Sequence, residues 1–134
     1  MKFPMTAARS ISIVDDDVSV RESLESLLKS LGFRVSVFES AEDFLSLGAA
    51  DTTDCLVLDV RLGGMGGLEL QKRLASNDCA PPIIFITAHG TEELRERVVA
   101  DGAVDCLLKP FSEERLLAAV DKALGASETS RAEK

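Results

Sequence analysis

The sequence predicts an α/β fold: a single domain of five strand-helix units forming a doubly wound parallel sheet with helices on both faces. Two observations carry this. Short apolar runs rich in β-formers alternate with longer segments of helical period. The run CLVLD, residues 55–59, is nearly continuous in apolar character, as a strand buried on both faces must be. A chain of 134 residues is long enough for one core of this kind, so no second domain is expected.

The first strand is SISIV, Ser10 to Val14. Three carboxylates follow at once, and Asp17 is placed to start a helix over Val18 to Leu31. Leu24, Leu27, Leu28 and Leu31 form the stripe of that helix, and Gly32 is placed to end it. RVSVF, 34–38, is the second strand. A short helix enters through Ser40, with Asp43 three residues on in a capping pattern. CLVLD is the third strand and GLELQKRLAS, 67–76, the helix after it. PPIIFIT, 81–87, is the fourth strand, and its helix runs from Glu92 to Asp101. The fifth strand spans Val104 to Leu108, and the last helix spans Glu113 to Leu124 with Ser112 as its N-cap. Residues 125–134, GASETSRAEK, are small, polar and aperiodic, which reads as a flexible linker or tail. Residues 1–8 read as an N-terminal extension, leaving a domain over 9–124.

With 23 acidic against 15 basic residues the net charge is −8, so this chain should repel nucleic acid and anionic membranes. No apolar run approaches the roughly 18 residues of a membrane span. The N-terminus also lacks an apolar stretch of signal-peptide length, which sets the expectation of a cytoplasmic chain without a membrane partner. Cys55, Cys79 and Cys106 are too far apart for a CxxC pair and read as reduced, packed thiols.

Ligands of doubly wound sheets bind at the carboxyl ends of the strands. Here those ends carry Asp15 and Asp16, Asp59, Thr87 and Lys109, each the first polar group after an apolar run. Adjacent carboxylates repel by roughly 1 kcal/mol in water and 4 kcal/mol near a protein surface. A cation offsets that repulsion, and Asp15, Asp16 and Asp59 make a hard-oxygen set suited to Mg²⁺ with waters and a phosphate. A carboxylate can also attack phosphorus, and Asp59, leaving the most apolar strand, is the best placed to do so. Thr87 could hydrogen-bond a phosphoryl oxygen, and Lys109 could neutralise another.

IVDDD, VLDVRL, FITAH and AVDCLLKPF, in this order and spacing, resemble the receiver domain of two-component response regulators over roughly residues 9–124. The resemblance implies a flavodoxin-like strand order 2-1-3-4-5 and a cis peptide between Lys109 and Pro110. It implies that Asp59 accepts a phosphoryl group from a sensor histidine kinase. It further implies that Asp16, Asp59 and the backbone carbonyl of Arg61 bind Mg²⁺, with Asp15 acting mainly through water. Thr87 and Lys109 would contact the phosphoryl group, and the face of the fourth helix, fifth strand and fifth helix would change on phosphorylation. FITAHG and GAVDCLLKPF are most similar to FixJ-like transcriptional regulators, in which a C-terminal helix-turn-helix domain follows. DNA would then be bound only through an output domain absent from this chain, with homodimerisation on phosphorylation as a further expectation.

Three features depart from that family pattern. Cys106 stands where a switch Tyr or Phe is usual, which alters the coupling expected between that ring and Thr87. Gly63 replaces a common Pro in the loop RLGGMGG and gives it freedom. The segment GTEELRERVVADG is more charged than usual.

Other readings compete with this one. GGMGG lacks both phosphate-cradle patterns and reads as a flexible turn. His89, the only histidine, reads as a loop residue near the mouth of the site, and the Arg61 side chain could shield a phosphoryl group. A receiver-like interaction module that is never phosphorylated would be consistent with Cys106. An aspartate-nucleophile phosphohydrolase would need an acid two residues after Asp59, where Arg61 stands, and a lid. A flavin carrier lacks Trp and Tyr for stacking.

Overall fold

The computed structural model describes residues 8–76 and 80–132, with side chains through Gly125. Cys79 lies outside the described residues. The elements are β1 (Ser10–Val14), α1 (Val18–Ser30), β2 (Arg34–Phe38), α2 (Ala41–Ser46), a 3-10 turn (Ala49–Thr52), β3 (Cys55–Asp59), α3 (Gly67–Ala75), β4 (Ile83–Thr87), α4 (Glu92–Ala100), β5 (Asp105–Leu108) and α5 (Glu113–Ala132). The five strands form one parallel sheet in the order β2-β1-β3-β4-β5. The chain thus reverses direction of travel across the sheet between β1 and β3, where a ligand crevice is expected.

Alternation along the strands feeds two cores. Ile11, Ile13, Val57, Ile84 and Ile86 pack with Leu24 and Leu28 of α1 and with Leu116, Ala119, Val120 and Ala123 of α5. On the opposite face, Val14, Leu56, Leu58 and Phe85 pack with Phe44 of α2, Leu70 and Leu74 of α3, and Val98 of α4. Each fully buried Leu, Ile or Phe contributes roughly 1.5–3 kcal/mol, so this two-sided burial holds the strand ends in place. The buried Ser12 hydroxyl is satisfied by Thr53 Oγ1 at 2.7 Å.

Local signals set the element ends. Asp17 accepts the amide of Ser19, Ser40 that of Asp43, and Ser112 that of Arg115, each capping a helix as expected. Gly32 takes a φ of +96°, ending α1 in a conformation that a β-carbon disfavours. The stripe of α1 is narrower than expected, because Leu31 caps the helix and is 49% exposed. β4 begins at Ile83 rather than Pro81, since Pro81 and Pro82 have no amide to give a ladder. Pro82 still accepts the amide of Leu56 through its carbonyl at 2.9 Å. The backbone of residues 125–132, expected to be a flexible linker or tail, instead continues α5 to Ala132. Nothing in GASETSRA stops a helix outright, for it holds no proline, and alanine favours helix.

Candidate functional site

Strand register brings the polar strand ends to one rim. Val14 pairs with Leu58, and Asp59 pairs with Ile86, so Asp15, Asp59 and Thr87 leave the sheet side by side. Thr87 pairs with Leu108, which delivers Lys109 to the same edge, and the Lys109 amide donates to the Thr87 carbonyl at 2.7 Å. The Lys109–Pro110 peptide is cis.

Asp15, Asp59 and Thr87 are buried, whereas Asp16 is exposed. One carboxylate oxygen from each of Asp15, Asp16 and Asp59 lies within 4.8 Å of the others. The ammonium of Lys109 sits against this cluster, with Nζ 3.0 Å from Asp15 Oδ2 and 3.2 Å from Asp59 Oδ2. The remaining oxygens are held from the backbone. Asp15 Oδ1 accepts the Asp17 amide at 2.8 Å, and Asp59 Oδ1 accepts the Arg61 amide at 3.1 Å. Asp16, by contrast, makes no hydrogen bond or ion pair among the described residues, so its carboxylate faces the cluster edge as a spare hard donor.

Burial, and after it the Asp15 charge, raises the pKa of Asp59 above the usual carboxylate value; the Arg61 amide and Lys109 oppose them. For Lys109, burial works against the ammonium, but hydrogen bonds and charge from Asp15 and then Asp59 outweigh it and hold the pKa up. Three carboxylates against one ammonium leave the rim with excess negative charge, which a divalent metal would offset. The three oxygen donors, with no soft ligand in the cluster among the described residues, fit Mg²⁺.

Thr87 Oγ1 accepts the His89 amide at 3.1 Å, which orients the hydroxyl at the end of β4. His89 and the Arg61 side chain are exposed. Cys106 is buried in β5 opposite Phe85, and burial, followed by the Asp105 charge, raises its thiol pKa. Thr87 and Cys106 line the same cavity of about 440 Å³, together with Gly90, Leu108 and Phe111. A β-carbon on Gly90 would come within 3.0 Å of the Thr87 methyl, so Thr87 and the start of the next loop are in close contact.

The structure adds residues that sequence reasoning did not single out. Arg21 of α1 donates to the Asp15 carbonyl at 2.7 Å and braces the first strand end. Gly67 approaches the backbone of Asp59 and Val60 so closely that a β-carbon would overlap the Asp59 carbonyl oxygen. Glu42 of α2 accepts the Met65 amide at 2.9 Å. The first was hidden because an arginine in the first turn of a helix has no distinctive pattern. Gly67 carries a signal, being a glycine at the first position of a helix, but nothing in the sequence says which backbone it meets.

Comparison with known proteins agrees with this geometry. Residues 11–121 match the family described as response regulator receiver domain. Nodulation protein W of Bradyrhizobium diazoefficiens is 47% identical over 110 residues, covering 82% of this chain and 48% of that protein. Transcriptional regulatory protein TdiR of Thauera aromatica is 44% identical over 117 residues, covering 87% of this chain and 52% of its own. The solved structure of response regulator StyR superposes with a TM-score of 0.85 at 43% identity, over 93% of this chain and 63% of that one. FixJ-N superposes with a TM-score of 0.80 at 34% identity, over 89% and 95%. The chain spans about half the length of the curated relatives it matches. No helix among the described residues is long and apolar enough to cross a membrane. By sequence and by fold, this chain belongs to the response regulator receiver domain family.

Proposed function

We propose that this receiver is a phosphorylation-operated switch in which Asp59 is the phosphoacceptor. The observation that carries the reading is the placement of Asp59: buried, hydrogen-bonded to Lys109, and within 4.8 Å of two further carboxylates. Asp16, Asp59 and the Arg61 carbonyl would hold Mg²⁺, with Asp15 acting mainly through water. The metal would supply charge neutralisation for the phosphoryl oxygens.

An Asp59 carboxylate oxygen attacks phosphorus of a phosphohistidine on a sensor kinase. The O–P bond forms as the N–P bond breaks, the electron pair leaves with the imidazole nitrogen, and the product is an acyl phosphate. Lys109 moves its ammonium from the free carboxylate to a phosphoryl oxygen, and Thr87 donates its hydroxyl to another. Attack of water on phosphorus later returns the carboxylate and inorganic phosphate. The chain therefore promotes only its own modification and reversal.

The phosphorylated state acts through the face of α4, β5 and α5, where Thr87 and Cys106 share a cavity. Swinging such a two-state equilibrium from 1:99 to 99:1 takes about 5.5 kcal/mol of differential interaction. Output would be transcriptional, through a domain joined beyond residue 124 and, on phosphorylation, through pairing of two receivers. The match to transcriptional regulators about twice as long supports this reading.

Intact-protein mass after incubation with acetyl phosphate tests it. Addition of one phosphoryl group that requires both Mg²⁺ and Asp59, and is absent in Asp59→Asn, is the expected result. No adduct under rapid trapping would instead favour a receiver that works without phosphorylation.

A further inference from the structure

The loop between β3 and α3 carries three glycines in seven residues, VRLGGMG from Val60 to Gly66. Glycine is the residue that gives up most conformational freedom when a loop is fixed, so this segment needs outside restraint to hold one shape. Its two ends are tied by backbone. Val60 donates to Ile86 at 3.0 Å, and the Gly67 amide closes back on the Val60 carbonyl at 3.0 Å. Gly66 provides no side-chain cap for α3.

The far side of the loop is held from α2. Glu42 Oε2 accepts the Met65 amide at 2.9 Å. The same carboxylate packs onto Gly64, whose φ is +74°, and a β-carbon there would fall 2.5 Å from Oε2. The Met65 amide, followed by Glu42's own amide, lowers the Glu42 pKa, so the group is the ionised acceptor at neutral pH. The helix that carries it is anchored. Phe44 of α2 is fully buried and meets Phe38 edge to face, with ring centroids 5.3 Å apart, while Ser40 caps the helix through Asp43.

We infer that Glu42 is a positioning residue for the metal site: by pinning Met65 and packing on Gly64, it holds the loop so that Arg61 stays aligned with Asp59. This rests on the proposed role of the Arg61 carbonyl. The Arg61 amide is already engaged by Asp59 Oδ1, so displacement of the loop moves the backbone on which the metal ligand lies. Glu42 restrains from outside a loop that Gly63 leaves free within.

The test uses the full chain and its Glu42→Ala and Glu42→Gln variants. Mg²⁺ affinity is read by isothermal titration calorimetry, and initial rates with acetyl phosphate are read across Mg²⁺ concentrations. Glu42→Ala should weaken Mg²⁺ binding roughly three- to tenfold, in keeping with loss of one charge-assisted hydrogen bond on an exposed side chain. Its rate at saturating Mg²⁺ should stay within about twofold of the parent, because the reacting groups are untouched. Glu42→Gln, whose amide oxygen can accept the same bond without the charge, should lose clearly less affinity than Glu42→Ala. Parental affinity in Glu42→Ala, or equal losses in the two variants, would overturn the inference and leave the phosphoacceptor reading standing. A parent chain that binds no Mg²⁺ would overturn both.

Discussion

Lys109 reaches back 94 residues along the chain to Asp15, and its ammonium lies 3.0 Å from the buried carboxylate. The same ammonium lies 3.2 Å from Asp59, so one cation offsets both buried carboxylates. Lys109→Ala should lower stability by about 1–3 kcal/mol in Mg²⁺-free buffer, since it leaves two carboxylates facing each other without their partner. Urea unfolding with and without Mg²⁺ checks this. A larger stabilisation by Mg²⁺ in the variant than in the parent is expected, because a metal would relieve the same repulsion.

Asp59 should work against stability at neutral pH. Its folded pKa is raised by burial and by Asp15, so the folded state favours the protonated carboxyl. That contribution is fully present below the ordinary value of about 4 and is lost as pH rises through the raised folded value. At pH 7 the ionised group is therefore a net cost. Asp59→Asn should raise Tm by roughly 2–5 °C without Mg²⁺, an advantage that shrinks as the buffer is taken down towards pH 4. Differential scanning calorimetry at several pH values measures it.

Mg²⁺ should stabilise the parent chain in proportion to occupancy, by about 2.7 kcal/mol at a hundredfold excess over Kd. Chelation should return Tm to its starting value. The effect should be much smaller for Asp16→Asn, because of the three clustered carboxylates Asp16 is the one without a partner among the described residues.

Gly67→Ala should destabilise by about 2 kcal/mol or more. An added methyl group would overlap the Asp59 carbonyl oxygen and stand 3.1 Å from Val60 Cα, both of them backbone that cannot swing aside. Urea unfolding gives the loss, and reduced Mg²⁺ affinity should accompany it.

Cys106→Tyr should fold, because the cavity of about 440 Å³ beside Thr87 offers room for the ring. The parent has no Tyr or Trp, so this variant would carry a single fluorophore at the end of the switch. Its emission should change on adding acetyl phosphate with Mg²⁺, and the change should vanish when Thr87→Ala is combined with it.

Much of this architecture was legible because the relevant signals are local. CLVLD reads as a buried strand from five consecutive residues, and Asp59 stands out as the one charge within them. The strand ends then converge because a parallel sheet has a single carboxyl rim. The missing parts depend on tertiary contact. The pairing of Glu42 with Met65 joins residues 23 apart on different elements, and each looks ordinary alone. The extension of α5 through Ala132 was hidden for another reason: its sequence has no apolar period, and the absence of a stop signal is weaker evidence than a stripe. Leu31 misled in the opposite direction, fitting the stripe of α1 while lying past its last turn.

The long reach of Lys109 also has a temporal side. Synthesis delivers Asp15 first, Asp59 next and the lysine only after all five strands have been made. A nascent chain that ends before residue 109 can collapse its apolar strands, yet it must hold the acidic rim without the internal counter-charge. The last strand therefore both completes the sheet and relieves the repulsion gathered at its edge. Closure of the rim becomes a late event in folding, dependent on contacts far apart in sequence, which are the slow ones to form.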